Sequence, residues 1–220
     1  MKTHLYPGLF STVLITGLMF ILSNLDCGAQ GTSFNGFEFA LPATIECEQF
    51  NRGGVNVAYS APYGLPNTKY RDEGVAIYRC SDYDGSRGYC LKGWQGNWFR
   101  YSITTVEAAT YRIEVRARRV AAQYSGSFRL QIEGGQYTDM TVNGAIDGWQ
   151  TLTGTISISA GSHILKFEMT SGDATLGVGL FDYMTLYKAP ASINNPTYQV
   201  SANLLQRDMA VGLGLGAGSS

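Results

Sequence analysis

Three carboxylates in this sequence are spaced so that they could bind one cation together. Glu46 and Glu48 are two residues apart, so in a β-strand both side chains project to the same face. Asp182 lies in the apolar stretch LFDYM, where a carboxylate without a partner would be costly. Ca²⁺ takes several oxygen ligands, and an ion that joined the three would remove this cost. The residues alone leave a second interpretation open, in which Glu46 and Glu48 are exposed and Asp182 pairs with an arginine.

Histidine is too scarce for the familiar catalytic and zinc sites. The chain has 2 histidines, and His4 lies in a stretch typical of a targeting signal. Only His163 would remain after cleavage, which excludes a two-histidine metal site and requires any Ser-His-Asp triad to use that residue. A glycoside hydrolase needs two carboxylates at a defined separation, and Asp82 and Asp84 are more typical of a solvated loop. We therefore predict no enzyme, unless this chain is a module of a larger glycoside hydrolase.

The composition is that of a folded domain with a nearly neutral surface. The chain has 220 residues, of which 45% are hydrophobic, and its 16 basic and 17 acidic residues give a net charge of -1. This length favours one domain with a sizeable core. The charge balance argues against nucleic acid and against an anionic membrane as partners.

The N-terminal residues, 1–29, are predicted to be a secretory signal peptide. Lys2 precedes the uncharged apolar stretch Gly8 to Leu22, and the small-residue site Cys27-Gly28-Ala29 predicts cleavage before Gln30. An uncleaved anchor helix is the alternative, because the apolar stretch is only slightly short of a membrane-spanning length. We expect a secreted protein, extracellular or at the cell surface, with no membrane contact after cleavage.

The C-terminal residues, 189–220, are predicted to be a tail or linker. The sequence loses its alternation near Pro190 and closes in Gly, Ala and Ser. A short docking strand over Tyr198 to Ala202 is the alternative.

The cysteines are compatible with an oxidising compartment. Cys80 and Cys90 bracket the polar loop SDYDGSRGY and could close it as a disulfide, although other pairings stay open. Cys47 lies in an apparent strand and is predicted to be a buried free thiol.

Alternation with a period of two dominates the middle of the chain. Apolar and charged residues alternate from Tyr111 to Arg118, and similar runs contain Phe128 to Glu133 and Leu165 to Met169. Such alternation places one face of each strand in a core and the other in solvent or against a partner. Nine or ten short strands without helices predict an all-β fold, an antiparallel β-sandwich or jelly roll. On the same reasoning the arginines at 112, 116, 118 and 119 form a solvated strand face.

Several segments occur in an order that carries more information than any one of them. They are Ile45-Glu46-Cys47-Glu48-Gln49-Phe50, Tyr70-Arg71, Gly93-Trp94 with Gly96 to Tyr101, Ala109-Thr110-Tyr111, Gly148-Trp149-Gln150-Thr151 with Ala160-Gly161-Ser162-His163, and Leu180-Phe181-Asp182-Tyr183. Together they resemble a family 6 carbohydrate-binding module, a β-sandwich similar to the galactose-binding domain. The resemblance runs from Ala43 to Lys188, and the family 35 module is a close relative with much of the same layout.

The resemblance implies a jelly-roll sandwich over residues 43–188, no catalytic activity, and a structural calcium ion. The ligands would be Glu46, Glu48, Asp182 and a backbone carbonyl at Arg71. His163 becomes a hairpin residue rather than a catalyst.

The resemblance also implies a sugar site in a cleft between loops at one edge of the sandwich. Two aromatic residues clamp the sugar in such modules, and by motif these are Trp94 and Trp149. An asparagine that often precedes the closing aspartate is absent here, where Gly177-Val178-Gly179 stands, so Asn97, Tyr89 or Asp173 would replace it. Trp98 is expected in the core.

The partner expected from these features is a polysaccharide or oligosaccharide, such as a β-linked glucan, a xylan or an algal galactan. A structural or adhesive surface protein that uses the sandwich as a scaffold is the alternative function.

Overall fold

Twelve β-strands and no helix make up the part of the chain that the structure describes. The computed structural model describes residues 31–61, 70–80, 88–119, 121, 125–173 and 175–190. The strands are β1 Phe39–Ala40, β2 Ala43–Glu46, β3 Tyr59–Ser60, β4 Ile77–Arg79, β5 Tyr89–Gly93, β6 Trp98–Thr105, β7 Ala109–Arg118, β8 Gly126–Ile132, β9 Tyr137–Val142, β10 Trp149–Ile158, β11 Gly161–Ser171 and β12 Gly179–Lys188. Within these residues no helix is long and apolar enough to cross a membrane.

The strands form two six-stranded sheets. The first has the order β1-β6-β11-β8-β9, with β3 also pairing with β6. The second has the order β10-β7-β12-β5-β4, with β2 also pairing with β12. Every pairing is antiparallel except that of β1 with β6. The predicted all-β antiparallel sandwich is therefore confirmed.

Aromatic rings from both sheets meet in the core. Phe128 and Phe167 of the first sheet contact Phe181 of the second, and the three ring centroids lie 5.0 to 5.2 Å apart in edge-to-face geometry. All three side chains are fully buried. This geometry suits the ring quadrupoles, so the cluster joins the two sheets by specific packing as well as by burial of apolar area.

The strand count is higher than the predicted nine or ten. β1 and β3 have two residues each, which is too short for a period-two pattern to appear in the sequence. The first strand begins at Phe39, before the predicted start at Ala43, and the last ends at Lys188. The predicted signal peptide and nearly all of the predicted tail lie outside the described residues.

Trp98 corrects one prediction of burial. It is only partly buried and lies on the outer face of the first sheet, where the Arg100 guanidinium is 4.9 Å and the Lys166 ammonium 5.5 Å from its ring. Phe99 fills the core instead. The alternation of strand faces is the reason, because β6 turns odd-numbered residues inward.

The cysteine and histidine predictions agree with the structure. Cys80 and Cys90 form a disulfide with Cα atoms 5.6 Å apart, and Cys47 is a buried free thiol. His163 lies beside the β10–β11 hairpin, where its Nε2 contacts the Ser159 carbonyl oxygen at 2.8 Å. The loop residues 81–87, which include Asp82 and Asp84, lie outside the described residues.

Replacing Phe181 by Ala should lower the free energy of unfolding by about 3–5 kcal/mol, because it opens a cavity where the two sheets meet. The matched control is Phe37→Ala, since Phe37 is 82% exposed. That change should stay within about 0.5 kcal/mol of the parent protein. Urea denaturation followed by tryptophan fluorescence measures both, and equal effects of the two variants would contradict the assigned core.

Candidate functional site

The pairing of β2 with β12 brings the three predicted carboxylates to one region. Glu46 lies directly opposite Tyr183, and the Cys47 N–H donates to the Asp182 carbonyl at 2.8 Å. The β12 register against β7 shifts by one residue between Phe181 and Met184, which is a β-bulge. Bulges re-aim side chains, and here the Asp182 carboxylate is buried although it lies in an apolar strand.

Burial makes the negative charge of Glu48 expensive. The side chain is 3% exposed, and its Oε2 has no hydrogen-bond partner among the described residues. Burial raises the pKa of the Glu48 carboxyl to about 8, and the nearby charges of Glu46 and Asp182 add to the increase. Arg71 acts in the opposite direction but does not offset it. A cation beside these oxygens would remove the cost.

The structure agrees in part with each interpretation of these carboxylates, the shared cation site and the pairing of Asp182 with an arginine. Asp182 pairs with an arginine, since the Arg116 Nε lies 3.4 Å from its Oδ2. Glu48 is buried rather than on an exposed face. Across the described ranges, no three side chains of His, Cys, Asp or Glu are gathered closely enough to hold a metal ion. Any ion here would therefore use backbone carbonyls as well as carboxylates, a donor set that suits Ca²⁺.

Arg71 holds the segment that carries Glu48. Its buried guanidinium donates to the carbonyls of Glu48 at 3.1 Å and of Asn51 at 3.0 Å, and also to the carbonyl of Phe50. It also pairs with the carboxylate of Glu73. The side chain therefore fixes the backbone beyond β2, while the predicted ligand role of the Arg71 carbonyl stays a prediction.

Four residues form one row across the second sheet. Lys92 of β5 lies opposite Leu180 of β12, Leu180 lies opposite Arg118 of β7, and Arg118 lies opposite Trp149 of β10. Directly opposed residues share a face of the sheet. The next residues inward in the same register, Leu91, Phe181 and Ala117, are buried in the core. The row, which we call the edge row, therefore faces outward. It lies where β5 and β7 end and where β10 and β12 begin.

Trp149 closes one end of the edge row. Its side chain is partly buried, and the Arg116 guanidinium lies 4.9 Å from its ring. Its indole Nε1 has no hydrogen-bond partner in the described part of the chain. The ring is thus held by a cation on the same sheet face while its N–H still requires an acceptor.

Trp94 lies two residues beyond Lys92, the other end of the row, and is largely covered. It is 6% exposed, its indole N–H donates to the Thr175 carbonyl at 3.1 Å, and the Lys92 ammonium lies 4.6 Å from its ring. The loop between β11 and β12 therefore covers part of Trp94. Asp173 caps this loop by accepting the N–H groups of Thr175 and Leu176, which gives it a structural role rather than the ligand contact suggested as an option.

The structure does not bring Asn97 or Tyr89 into the edge row. Asn97 is fully buried, its amide oxygen accepts the Trp94 N–H at 2.7 Å and its Nδ2 donates to the Ser60 carbonyl at 3.3 Å. It stabilises the tight turn before β6, while its sugar contact stays a prediction. Tyr89 lies at the opposite end of β5 from Trp94 and packs on Tyr70, with ring centroids 4.7 Å apart.

Sequence reasoning missed the basic and apolar members of the edge row. Arg118 was grouped with an exposed arginine face, yet its side chain is 22% exposed against 45% for Arg112 on the same strand. The run from Lys92 to Trp94 carries a period-two signal that places both on one face. Nothing in the sequence pairs them with Leu180 or Arg118, because that depends on the register.

Comparison with known proteins gives the same class as the fold and the site. The sequence matches the profile described as carbohydrate binding module (family 6) over residues 68–186. The chain belongs to this family. No curated protein sequence matches it.

Similar solved structures are also modules of this kind. A family 6 module of Clostridium stercorarium, in complex with cellobiose, has 16% identity and a TM-score of 0.49, covering 70% of this chain and 99% of that one. A β-1,3-glucan-binding family 6 module of Bacillus halodurans has 17% identity and a TM-score of 0.48, with 69% and 99% covered. A family 35 module of Cellvibrio japonicus has 16% identity and a TM-score of 0.45, with 67% and 93% covered.

Asn97→Ala should lower the free energy of unfolding by about 1–3 kcal/mol, because it leaves the buried Trp94 N–H without its acceptor. Asn143→Ala is the control, since Asn143 is exposed. Thermal unfolding followed by circular dichroism measures both. An Asn97→Ala protein as stable as the control would contradict the structural role and favour a surface contact.

Proposed function

We propose that this chain is a secreted, non-catalytic protein that binds a polysaccharide or oligosaccharide along the edge row, between Trp94 and Trp149. The observation that carries the proposal is the position of these two tryptophans. Trp149 is one end of a cross-strand row on the outer face of a sheet, and Trp94 lies two residues beyond Lys92, the other end, in a chain that belongs to a carbohydrate-binding family. Secretion is supported by the apolar stretch Gly8 to Leu22 and by the Cys80–Cys90 disulfide.

The chemistry of the edge row suits a sugar. Sugar rings have apolar C–H faces and polar rims, so they bind to flat aromatic side chains together with a few hydrogen-bonding groups. Three strand spacings separate Lys92 from Trp149, about 14 Å, and Leu180 provides an apolar floor between them. The donors of Arg118 and Lys92 lie along the same row.

The two tryptophans would contribute unequally. Trp149 is partly exposed and follows directly after Gly148, so its ring is the main platform in this proposal. Trp94 is largely buried beneath the loop that contains Thr175, so only a small part of its ring would contact the sugar. The Lys92 ammonium lies over the Trp94 ring and the Arg116 guanidinium over the Trp149 ring, and these contacts hold the two rings in place.

We also propose a structural calcium site at the end of β2. The predicted carboxylate ligands are Glu46, Glu48 and Asp182. Because these three are not gathered closely enough to hold an ion by themselves, backbone carbonyls near Arg71 would have to supply much of the coordination. The support is the buried Glu48 carboxylate with its unpartnered Oε2, beside two further negative charges. The ion would neutralise these charges and hold the segment after β2 against β12.

Trp149→Ala should weaken binding to a retained polysaccharide by about 30-fold or more, the effect of losing an aromatic hot spot of about 2 kcal/mol. The control is Trp98→Ala, which removes a partly buried tryptophan from the outer face of the other sheet. Affinity electrophoresis against a panel of glucans, xylans and algal galactans measures both, with melting temperatures to show that each variant is folded.

If a polysaccharide retards the Trp149→Ala variant as much as the parent protein, the assigned site is wrong. A folded parent protein that no polysaccharide retards would contradict the binding function and favour the scaffold protein.

Removing calcium should lower the melting temperature, because an ion that binds only the folded state stabilises it by about 2.7 kcal/mol when its free concentration is 100 times the Kd. Differential scanning calorimetry with EDTA and with added Ca²⁺ measures this. Glu48→Gln should abolish the response, and without calcium at pH 7 it should be about as stable as the parent, because a carboxyl with a pKa of about 8 is already mostly protonated at that pH. Glu168→Gln, on the outer face of the first sheet, is the control.

An unchanged melting temperature in EDTA, from protein that elemental analysis shows to be free of metal, would contradict the calcium site. So would a Glu48→Gln variant that keeps the full response.

A further inference from the structure

Two of the four residues of the edge row, Lys92 and Arg118, are cationic. Lys92 and Arg118 lie on either side of Leu180, two strand spacings or about 10 Å apart. Arg116 lies two residues before Arg118 on the same strand, with its guanidinium over Trp149. Three cationic groups therefore point to the outer face at the place where the sugar is proposed to bind.

The acidic groups near the row are few and mostly engaged elsewhere. Asp147 is exposed and lies 3.0 Å from the Arg118 Nη2. Asp182 is buried and pairs with Arg116, and Asp173 caps the loop over Trp94. Asp147 is the one carboxylate of these that a ligand would need to displace from Arg118, and a surface ion pair of this kind contributes little to stability.

Two buried donors at the row still require acceptors. The Arg118 Nε and the Trp149 Nε1 have no hydrogen-bond partner among the described residues, and the two residues lie directly opposite each other on neighbouring strands. A buried donor without an acceptor is costly, and a charged acceptor satisfies a guanidinium more strongly than a neutral one. Burial also lowers the pKa of the Lys92 ammonium, so this charge is partly stripped of water as well.

Leu180 determines which sugars benefit from this arrangement. It occupies the middle of the row and has no group that could pair with a hydroxyl. The polar side chains of the row, Lys92, Arg118 and Trp149, carry N–H donors and no acceptor atoms of their own. A sugar hydroxyl can use these donors only by accepting from them, whereas an oxyanion, which has no proton to donate, accepts from several of them at once.

We infer that the sugar bound at the edge row carries an anionic group, the carboxylate of a uronic acid or a sulfate ester, held by Arg118 together with Lys92. This inference rests on the proposed carbohydrate-binding function and specifies its ligand class. Both anions present oxygens to N–H donors, so the experiment must separate them.

The test uses pairs of polysaccharides that differ only in charge. One pair is glucuronoxylan and the same xylan after carboxyl reduction, and a second is pectic polygalacturonate and its fully methyl-esterified form. A third is a sulfated algal galactan and its desulfated product. Titration calorimetry and affinity electrophoresis should give at least about tenfold tighter binding to the anionic member of one pair, which corresponds to about 1.4 kcal/mol. A preference in the first two pairs identifies a carboxylate as the bound group, and a preference in the third pair identifies a sulfate ester.

Arg118→Gln should remove this preference, with about tenfold weaker binding to the anionic polymer and a change within about twofold for its neutral partner. The matched control is Arg112→Gln, on the same strand and the same outer face but six residues away, about 20 Å. It should leave the preference intact. Lys92→Gln is the second variant, and its loss of preference decides the matter if Arg118→Gln melts well below the parent.

Equal binding to both members of every pair would overturn the anionic ligand and leave the proposed function standing. If the protein binds no member of any pair and none of the earlier polysaccharides, both the inference and the proposed function would be overturned. If Arg112→Gln reduces the preference for the anionic members as much as Arg118→Gln does, the preference comes from general charge attraction. This result would also overturn the inference.

Discussion

Burial of Phe181 between the two sheets is the constraint on which the outer surface depends. Its ring packs edge-to-face on Phe128 and Phe167 of the opposite sheet, so β12 cannot slip by one residue without exposing it. This packing fixes Leu91 and Ala117 as its inward neighbours in the register. The residues beside them, Lys92, Leu180 and Arg118, must then face outward in one row. The edge row is thus a consequence of core packing on the other side of the same strands.

Strand β12, which carries Phe181, also contains the β-bulge at Asp182. The bulge at Asp182 places a carboxylate where an apolar residue would be expected, close to Glu48. A buried negative charge lowers stability unless something neutralises it, and Arg116 does so in part for Asp182. Arg116 also lies over Trp149, so it links the carboxylate region to the edge row.

Much of the fold was accessible from local sequence pattern. The alternation from Tyr111 to Arg118 predicted β7 and its inward face, and the loop between Cys80 and Cys90 predicted the disulfide. The predictions that failed concerned side chains whose environment comes from distant segments. Trp98 alternates like a core residue but lies on an outer face, and Asn97 resembles a polar surface residue but is buried in a turn against Ser60. Hydrophobicity and spacing do not distinguish these cases, because both depend on which face of β6 meets the second sheet.

The sequence by itself determined the class of fold and most of the strand faces, because these follow from local periodicity and from motifs in a fixed order. Only the tertiary structure decided how these residues combine. Lys92, Arg118, Trp149 and Leu180 come from four separate segments, and their meeting in one row is set by hydrogen-bonded register between strands far apart in the chain. The cover over Trp94 by Thr175 is likewise a contact across 81 residues. Such contacts depend on the packing of the whole sandwich, which no local pattern encodes.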